Sequence, residues 1–370
     1  MTKIYLIRHA EAEGNIYRRA HGHFNGRITA RGYNQIAKLR DRFEKEDLSA
    51  IYSSDLLRAS VTAVALSKPR GLALNLTKNL REVNMGVWED VAWGDLEYQY
   101  PEMSRHFNDD PANWKVSGSE QYEVVQKRII ECLTEIGNNH DGETVAVFSH
   151  GFAIRSLMCE LLGVPSHESQ RVKYCDNTAV ALLLYEDGGL KIEYHGDNSH
   201  LSREDSTFAH QNWWRSEKDW VRENLRYMLL DEKRDAKMLA LYNAEYGERP
   251  QSSKEYVGFR ANEPAGLIGI DEKWSLDVGN HVSVCSGGSD GKMGVGLVSY
   301  VYVLPEFRRN NMGTQLLGHA MSEFRKLGRE AVRVEAQKDS ELARFCLKYD
   351  FVVVGESGHL CVMEKNIRNW

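Results

Sequence analysis

The stretch MTKIYLIRHAEAEGN, residues 1–15, decides the fold. Ile4 to Ile7 are apolar or β-favouring and read as a buried strand, which stops abruptly at a cation and an imidazole, Arg8 and His9. In open α/β sheets ligands bind just beyond the carboxyl ends of strands, so this pair stands where chemistry is done. A charged dipeptide at a strand tip is also ordinary surface, and only partners elsewhere in the chain separate the two readings.

Outward from that strand, residues 1–200 alternate between strand and helix patterns. TARGYNQIAKLRDRFEKE (29–46) is an amphipathic helix with Thr29 as N-cap, SAIYSSD (49–55) a short strand, and LLRASVTAVALSK (56–68) a helix leaving its tip. ETVAVFSH (143–150) is a second strong strand that again ends in a histidine, His150, followed by a glycine and the helix FAIRSLMCELLG. TAVALLLYEDGGLKIEYHG (178–196) reads as a hairpin turning at Asp187 to Gly189. The order predicts a mixed α/β sheet with helices on both faces.

Past residue 200 the character changes. DNSHLSRED (197–205) is polar and turn-rich, a reasonable linker, and two helical stretches are expected at 211–230 and 231–247, with Trp213, Trp214 and Trp220 as core or pocket lining. PAGLIGID and VGLVSYVYVL follow as strands, separated by SGGSDGKMG (286–294), which leads into a strand and so reads as a mobile hairpin loop and not a phosphate cradle.

At 370 residues the chain exceeds one typical domain, and with 42% apolar residues each half can bury its own core. A formal charge of −6 leaves neither half the basic excess that nucleic-acid binding needs. The six cysteines, 132, 159, 175, 285, 346 and 361, form no CxxC pair and no zinc spacing, and read as reduced thiols. The chain opens without a signal series and holds no apolar run near the roughly 18 residues a bilayer span needs. The expectation is a soluble, cytoplasmic protein, and no pattern indicates an oligomeric state.

Partners for Arg8 and His9 exist. RHAEAEGN (8–15), HGHFNGRITARG (21–32), SSDLLRASVTA (53–63), LREVNMGVWED (80–90), the stretch from YPEM to SGSE (100–120) and FSHGFAIR (148–155) follow in the order of the histidine phosphatase superfamily. Residues 1–200 therefore resemble that superfamily, which includes phosphoglycerate mutases and related phosphatases, and this implies a phosphoglycerate mutase-like three-layer α/β/α domain. It also implies His9 as nucleophile through a phosphohistidine, with Arg8, Asn15, Arg58 and His150 binding the phosphoryl oxygens and Glu82 as the acid for the departing oxygen. With two arginines and two histidines to neutralise the phosphate, no metal is expected. For its task Glu82 must carry a proton near working pH, through burial or the charge of the substrate; a solvated loop carboxylate is the plainer alternative. The mutases carry basic residues after the acid, whereas Val83, Asn84 and Met85 follow it here, which favours hydrolysis over phosphate shuffling.

The second half holds VGLVSYVYVLPEFRRNNMGTQLLGHAMSEFRKLG (295–328), a strand, tight loop and helix whose backbone N–H groups would face an anion. It resembles the pyrophosphate-binding motif of GNAT-type N-acetyltransferases, from Arg308 through Arg309, Asn310, Asn311 and Met312 to Gly313 and on to Thr314, with Asn311 in place of the first glycine. That swap is tolerable because asparagine visits positive φ readily. The resemblance extends over roughly 210–370, so an α+β acetyltransferase domain is expected at 201–370, its helical start or linker at about 201–250. It implies acetyl-CoA as substrate, its pantetheine arm between splayed central strands against Val301 to Val303, and a small amine as acceptor. Where the family often has a tyrosine acid this chain has Cys346, either a substitute acid or a buried apolar filler. Glu306 and Glu335 are the carboxylates nearest the expected cleft. Two whole-molecule readings stand: a bifunctional enzyme acting on the same or related small phosphate- and amine-bearing metabolites, or a phosphatase carrying a degenerate acyl-CoA-binding or structural module.

Overall fold

The computed structural model of the chain describes residues 1–211, 223–272 and 294–368. The chain divides into two compact units, the first of residues 1–15, 20–91 and 96–220, the second of 16–19, 92–95 and 221–370.

The first unit is built on a six-stranded sheet of β1 (Thr2–Arg8), β2 (Ala50–Ser54), β3 (Leu74–Thr77), β4 (Thr144–Ser149), β5 (Val180–Glu186) and β6 (Gly189–Asp197), in the order β3-β2-β4-β1-β5-β6. β1 to β4 lie parallel, and β5 and β6 close the sheet antiparallel, as a hairpin over Asp187 and Gly188, both at positive φ. The helices between them in the chain are α1 (Glu13–Tyr17), α2 (Ala30–Arg42), α3 (Leu57–Arg70), α4 (Trp93–Gln99), α5 (Pro101–Asp109), α6 (Tyr122–Asn139) and α7 (Gly151–Leu161), of which the end of α1 (16–17) and the start of α4 (93–95) belong to the second unit. Strand side chains alternate between faces. Ile7, Ile51 and Phe148 join Leu39 of α2 and Leu66 of α3 in one core, while Ile4, Leu6, Val145 and Val147 point the other way, toward α6 and α7. Thr29 caps α2 by accepting the Gly32 N–H at 3.0 Å. The result is the expected three-layer arrangement, with the carboxyl ends of β1, β2 and β4 at one edge.

The second unit holds β7 (Leu225–Leu229), β8 (Lys254–Arg260), β9 (Glu263–Asp271), β10 (Val295–Val303), β11 (Ala331–Gln337), β12 (Val352–Ser357) and β13 (Leu360–Asn366), in the order β12-β13-β11-β10-β9-β8-β7, with α8 (Ala236–Tyr246), α9 (Met312–Lys326) and α10 (Glu341–Lys348). The helix expected over 211–230 is corrected: Leu225–Leu229 is an edge strand, held by pairing with β8. Residues 212–222, with the three tryptophans, and most of the 286–294 loop lie outside the described residues. β10 and β11 pair in parallel from Val295 with Ala331 to Val298 with Val334, and there the ladder stops although both strands continue. A bulge between Val298 and Tyr300 marks the divergence. The two central strands thus splay as expected. Among the described residues no helix is long and apolar enough to cross a membrane.

Candidate active site

The tip of β1 is pinned from two sides. The Ala10 N–H donates to Thr62 Oγ1 (3.0 Å), and the same hydroxyl donates to the Arg58 carbonyl (2.7 Å) one turn earlier in α3. Asn177, just before β5, donates through Nδ2 to the His9 carbonyl (2.9 Å). His9, only 4% exposed, is thereby held with its Nδ1 against the Ala10 carbonyl at 2.7 Å. A carbonyl can only accept, so Nδ1 carries the hydrogen and Nε2 keeps its lone pair. Arg58 Nε donates to that Nε2 at 3.3 Å, while its two other nitrogens are fixed by the carbonyls of Phe24 (2.9 Å) and Gly22 (2.7 Å). The nucleophilic nitrogen and one arginine fork are therefore oriented together.

His150, at the end of β4, is fully buried, and its ring lies 5.1 Å from that of His9. Neither of its ring nitrogens has a hydrogen-bond partner, nor has the buried Nε of Arg8, which otherwise donates to the Cys175 carbonyl. Arg8 also passes 5.7 Å from the centre of the Phe208 ring. Burial, helped by Arg58 and Arg8, holds the His9 imidazole well below its usual range; burial and then Arg58 do the same to His150. Burial also lowers Arg58, to about 10, and lowers Arg8. The cluster gathers two arginines and two imidazoles, and within it Arg8 Nε and the His150 ring keep buried donor capacity without a partner, which an oxyanion would satisfy.

Glu82 lies across the start of α7. Its carboxylate accepts the N–H groups of Val83 (3.0 Å), Phe152 (3.1 Å) and Ala153 (3.0 Å) and so caps the helix that His150 begins. Arg128 holds the segment from outside, donating to the carbonyls of Asn79, Arg81 and Glu82 and to both oxygens of Glu120. Asn15 accepts the Ala12 N–H with Oδ1 at 2.9 Å, which leaves its amide NH2 as the donating end. Val83 and Met85 are buried, and Asn84 is spent on the Gly86 N–H, so no cation follows the acid. Among the described residues no cluster of three or more histidines, cysteines or acids could hold a metal.

The structure thus brings His9, Arg8, Arg58 and His150 into one pocket and sets Glu82 against the helix that follows His150. Thr62, Asn177 and Arg128 were missed by the reading of the sequence. Thr62 had a signal, since a threonine four residues after a helical arginine can bond back to its carbonyl; the others had none.

In the second unit Val301 and Val303 lie on β10 beyond the point where its ladder with β11 ends. Arg309 and Asn311 both take left-handed φ, 63° and 60°, and Asn311 is the N-cap of α9, which confirms that asparagine serves the conformation a glycine usually supplies. Met312, Gly313 and Thr314 form the first turn of α9, and Asn310 lies in the turn before it. Arg308 is already engaged: Nε donates to the Val303 carbonyl (2.9 Å), and Nη2 meets both oxygens of Glu245 at 2.7 Å. Cys346 is 0% exposed within the core, and burial pushes its thiol up to about 12, an environment that fits filler better than a proton donor. Glu306 and Glu335 are exposed. Glu255, unremarked in the sequence, accepts Tyr300 Oη (2.6 Å) and Arg249 Nε (3.0 Å) across Gly269, where a side chain would strike the Tyr300 ring.

Residues 4–198 match the histidine phosphatase superfamily (branch 1), and residues 208–351 match the acetyltransferase (GNAT) family. Phosphoserine phosphatase 1 of Hydrogenobacter thermophilus is 30% identical over 187 residues, which are 50% of this chain and 88% of that protein. A probable phosphoglycerate mutase, GpmB of Salmonella choleraesuis, is 27% identical over 206 residues, 54% of this chain and 95% of that one. Among solved structures, Bacillus stearothermophilus YhfR shares 30% identity at a TM-score of 0.52, covering 54% of this chain and 99% of its own. A mycobacterial glucosyl-3-phosphoglycerate phosphatase, at 22% identity and a TM-score of 0.50 over 53% of this chain and 99% of that one, shares the fold.

Proposed function

The chain belongs to the histidine phosphatase superfamily, and from that membership we propose that residues 1–200 hydrolyse a small phosphate monoester through a phosphohistidine on His9. The observation that carries the reading is the buried pocket around His9 Nε2, in which Arg8 Nε and both nitrogens of His150 have no partner. In this reading Nε2 attacks phosphorus, the bond to the ester oxygen breaks, and Glu82 gives that oxygen a proton. Arg8, Arg58, Asn15 and His150 take the charge spread over the three transferring oxygens. Glu82, now ionised, then receives a proton from the water that attacks phosphohistidine, which releases inorganic phosphate and restores His9. The neutral ring that burial maintains in His9 is the form that can attack. Val83, Asn84 and Met85 offer no cation to a second anionic group, which supports hydrolysis over a phosphoglycerate-type mutase.

For residues 201–370 the proposed activity is acetyl transfer to an amine of the same or a related small metabolite. Acetyl-CoA would supply the acyl group as a thioester, held by the first turn of α9, the 308–311 loop and the β10 backbone from Val301 to Val303. The splay of β10 from β11 and the left-handed Asn311 support this. The burial of Cys346 favours a second reading, an acyl-CoA-binding module without turnover. CoA release with a panel of small amines separates the two.

His9→Ala tests the first half. Phosphate release from p-nitrophenyl phosphate should fall by roughly 10³-fold or more while circular dichroism stays unchanged. Activity surviving in a folded variant sinks the assignment.

A further inference from the structure

Glu89 joins two segments of the phosphate pocket that the sequence presents separately. It follows a short helical turn, Gly86–Trp88, and is largely withdrawn from solvent. Its Oε1 accepts the N–H groups of His23 (2.8 Å) and Met85 (2.9 Å), and its Oε2 accepts that of Phe24 (2.6 Å). The 22–24 segment supplies the Gly22 and Phe24 carbonyls that fix the Arg58 fork, and Met85 lies three residues beyond Glu82. Gly22 has φ of 44°, and a side chain there would stand 2.1 Å from Glu89 Oε1, so the turn is closed directly upon the carboxylate.

A guanidinium is planar, so setting its two terminal nitrogens also sets the direction of Nε, here toward His9 Nε2. We propose that Glu89 is a positioning residue of the phosphatase site: it orients Arg58 on His9 and holds that assembly to the segment carrying Glu82. The proposal rests on the reading of His9 and Arg58 given above. Burial raises the Glu89 carboxyl above its ordinary range, against its three N–H bonds and the charge of Arg58, which favour the ionised acceptor.

Glu89→Gln keeps the length but turns an NH2 toward a backbone N–H and removes the charge. The effect should appear on the phosphoryl group whatever its leaving group, because Arg58 acts there. The rate per folded molecule is expected to drop about 10- to 100-fold for p-nitrophenyl phosphate and for an alkyl phosphate alike. Glu82→Gln, by contrast, should slow the alkyl ester more than the aryl ester, because only the alkyl leaving group needs the acid, while the loss of the base for hydrolysis of phosphohistidine is shared by both. Glu89→Asp retains the charge and retracts the oxygens, and a smaller parallel loss in a stable protein covers the case in which the glutamine variant does not fold. Lowered stability with unchanged rates in these variants would make Glu89 a loop tie and overturn the proposal. His9→Ala run alongside separates the failures: if it remains active the phosphohistidine reading is wrong, and if it is dead while both Glu89 variants run at the wild-type rate, only the positioning role is wrong.

Discussion

Two imidazoles buried beside arginines impose a cost that pH exposes. His9 and His150 both hold pKa values below the usual 6.5, chiefly because burial disfavours the charged ring. Below pH 6.5 the unfolded chain therefore binds more protons than the folded one. The stability tied to each ring is complete above that pH and drains as pH falls toward its folded value, by up to about 1.4 kcal/mol per pH unit. The urea midpoint of the first unit should fall between pH 7 and pH 5, and His150→Gln should flatten part of that fall. His9, together with His23 and His200, which burial also lowers, keeps the remainder, and the comparison cancels other titrating groups. An identical slope in the variant would show that His150 is not the neutral buried ring described. Residue by residue, the principal groups were legible because each sits in a short run with its own signature, a strand ending in Arg8 and His9 or in His150. Asn177 and Glu89 were not, because what they do depends on partners such as the His9 carbonyl, 168 residues from Asn177.

Among the elements, α7 carries the most chemistry in its first turn. Glu82 satisfies two of its free N–H groups, and Gly151 allows Arg8 to lie against it. A Cβ at 151 would come within 3.3 Å of Arg8 Nε and 3.4 Å of Cζ, so the guanidinium must give by a few tenths of an ångström. Gly151→Ala should leave stability within about 1 kcal/mol of wild type, since alanine favours the helix. It should lower phosphatase kcat/KM by about 10-fold through the displaced arginine. A melting temperature and a rate on one preparation check both halves, and full activity would mean that Arg8 tolerates the shift. The same scale shows where the reading of the sequence failed. LRYML forms β7 because β8 supplies hydrogen bonds and cross-strand neighbours, and KEYVGFR forms β8 for the same reason. Strand preference of that kind resides in the pairing and not in the segment, so a charged run with helical spacing concealed it. β13 was missed likewise, although it lies between β12 and β11.

At the scale of the molecule, two sheets with separate cores stand in one chain, and the motifs at 8–15 and 308–313 made both visible. That residues 16–19 and 92–95 belong to the second compact unit was not legible, because neither stretch carries a pattern that names its distant partners. Separate cores imply that a ligand reports on the unit that holds it. A ligand at 100 times its Kd adds about 2.7 kcal/mol to the state that binds it, enough to slow amide exchange by about 100-fold where opening requires that state. With orthovanadate, which mimics the transferring phosphoryl group, slowed exchange is expected at the ends of β1 and β4 and the start of α7. With acetyl-CoA it is expected at 299–303 and across the first turn of α9. Protection by vanadate alone would place the second half among modules that have lost the acyl donor. Protection by acetyl-CoA at those residues, with no CoA released to any amine tried, would instead leave it as a binder, a state consistent with a buried Cys346 where a proton donor would stand.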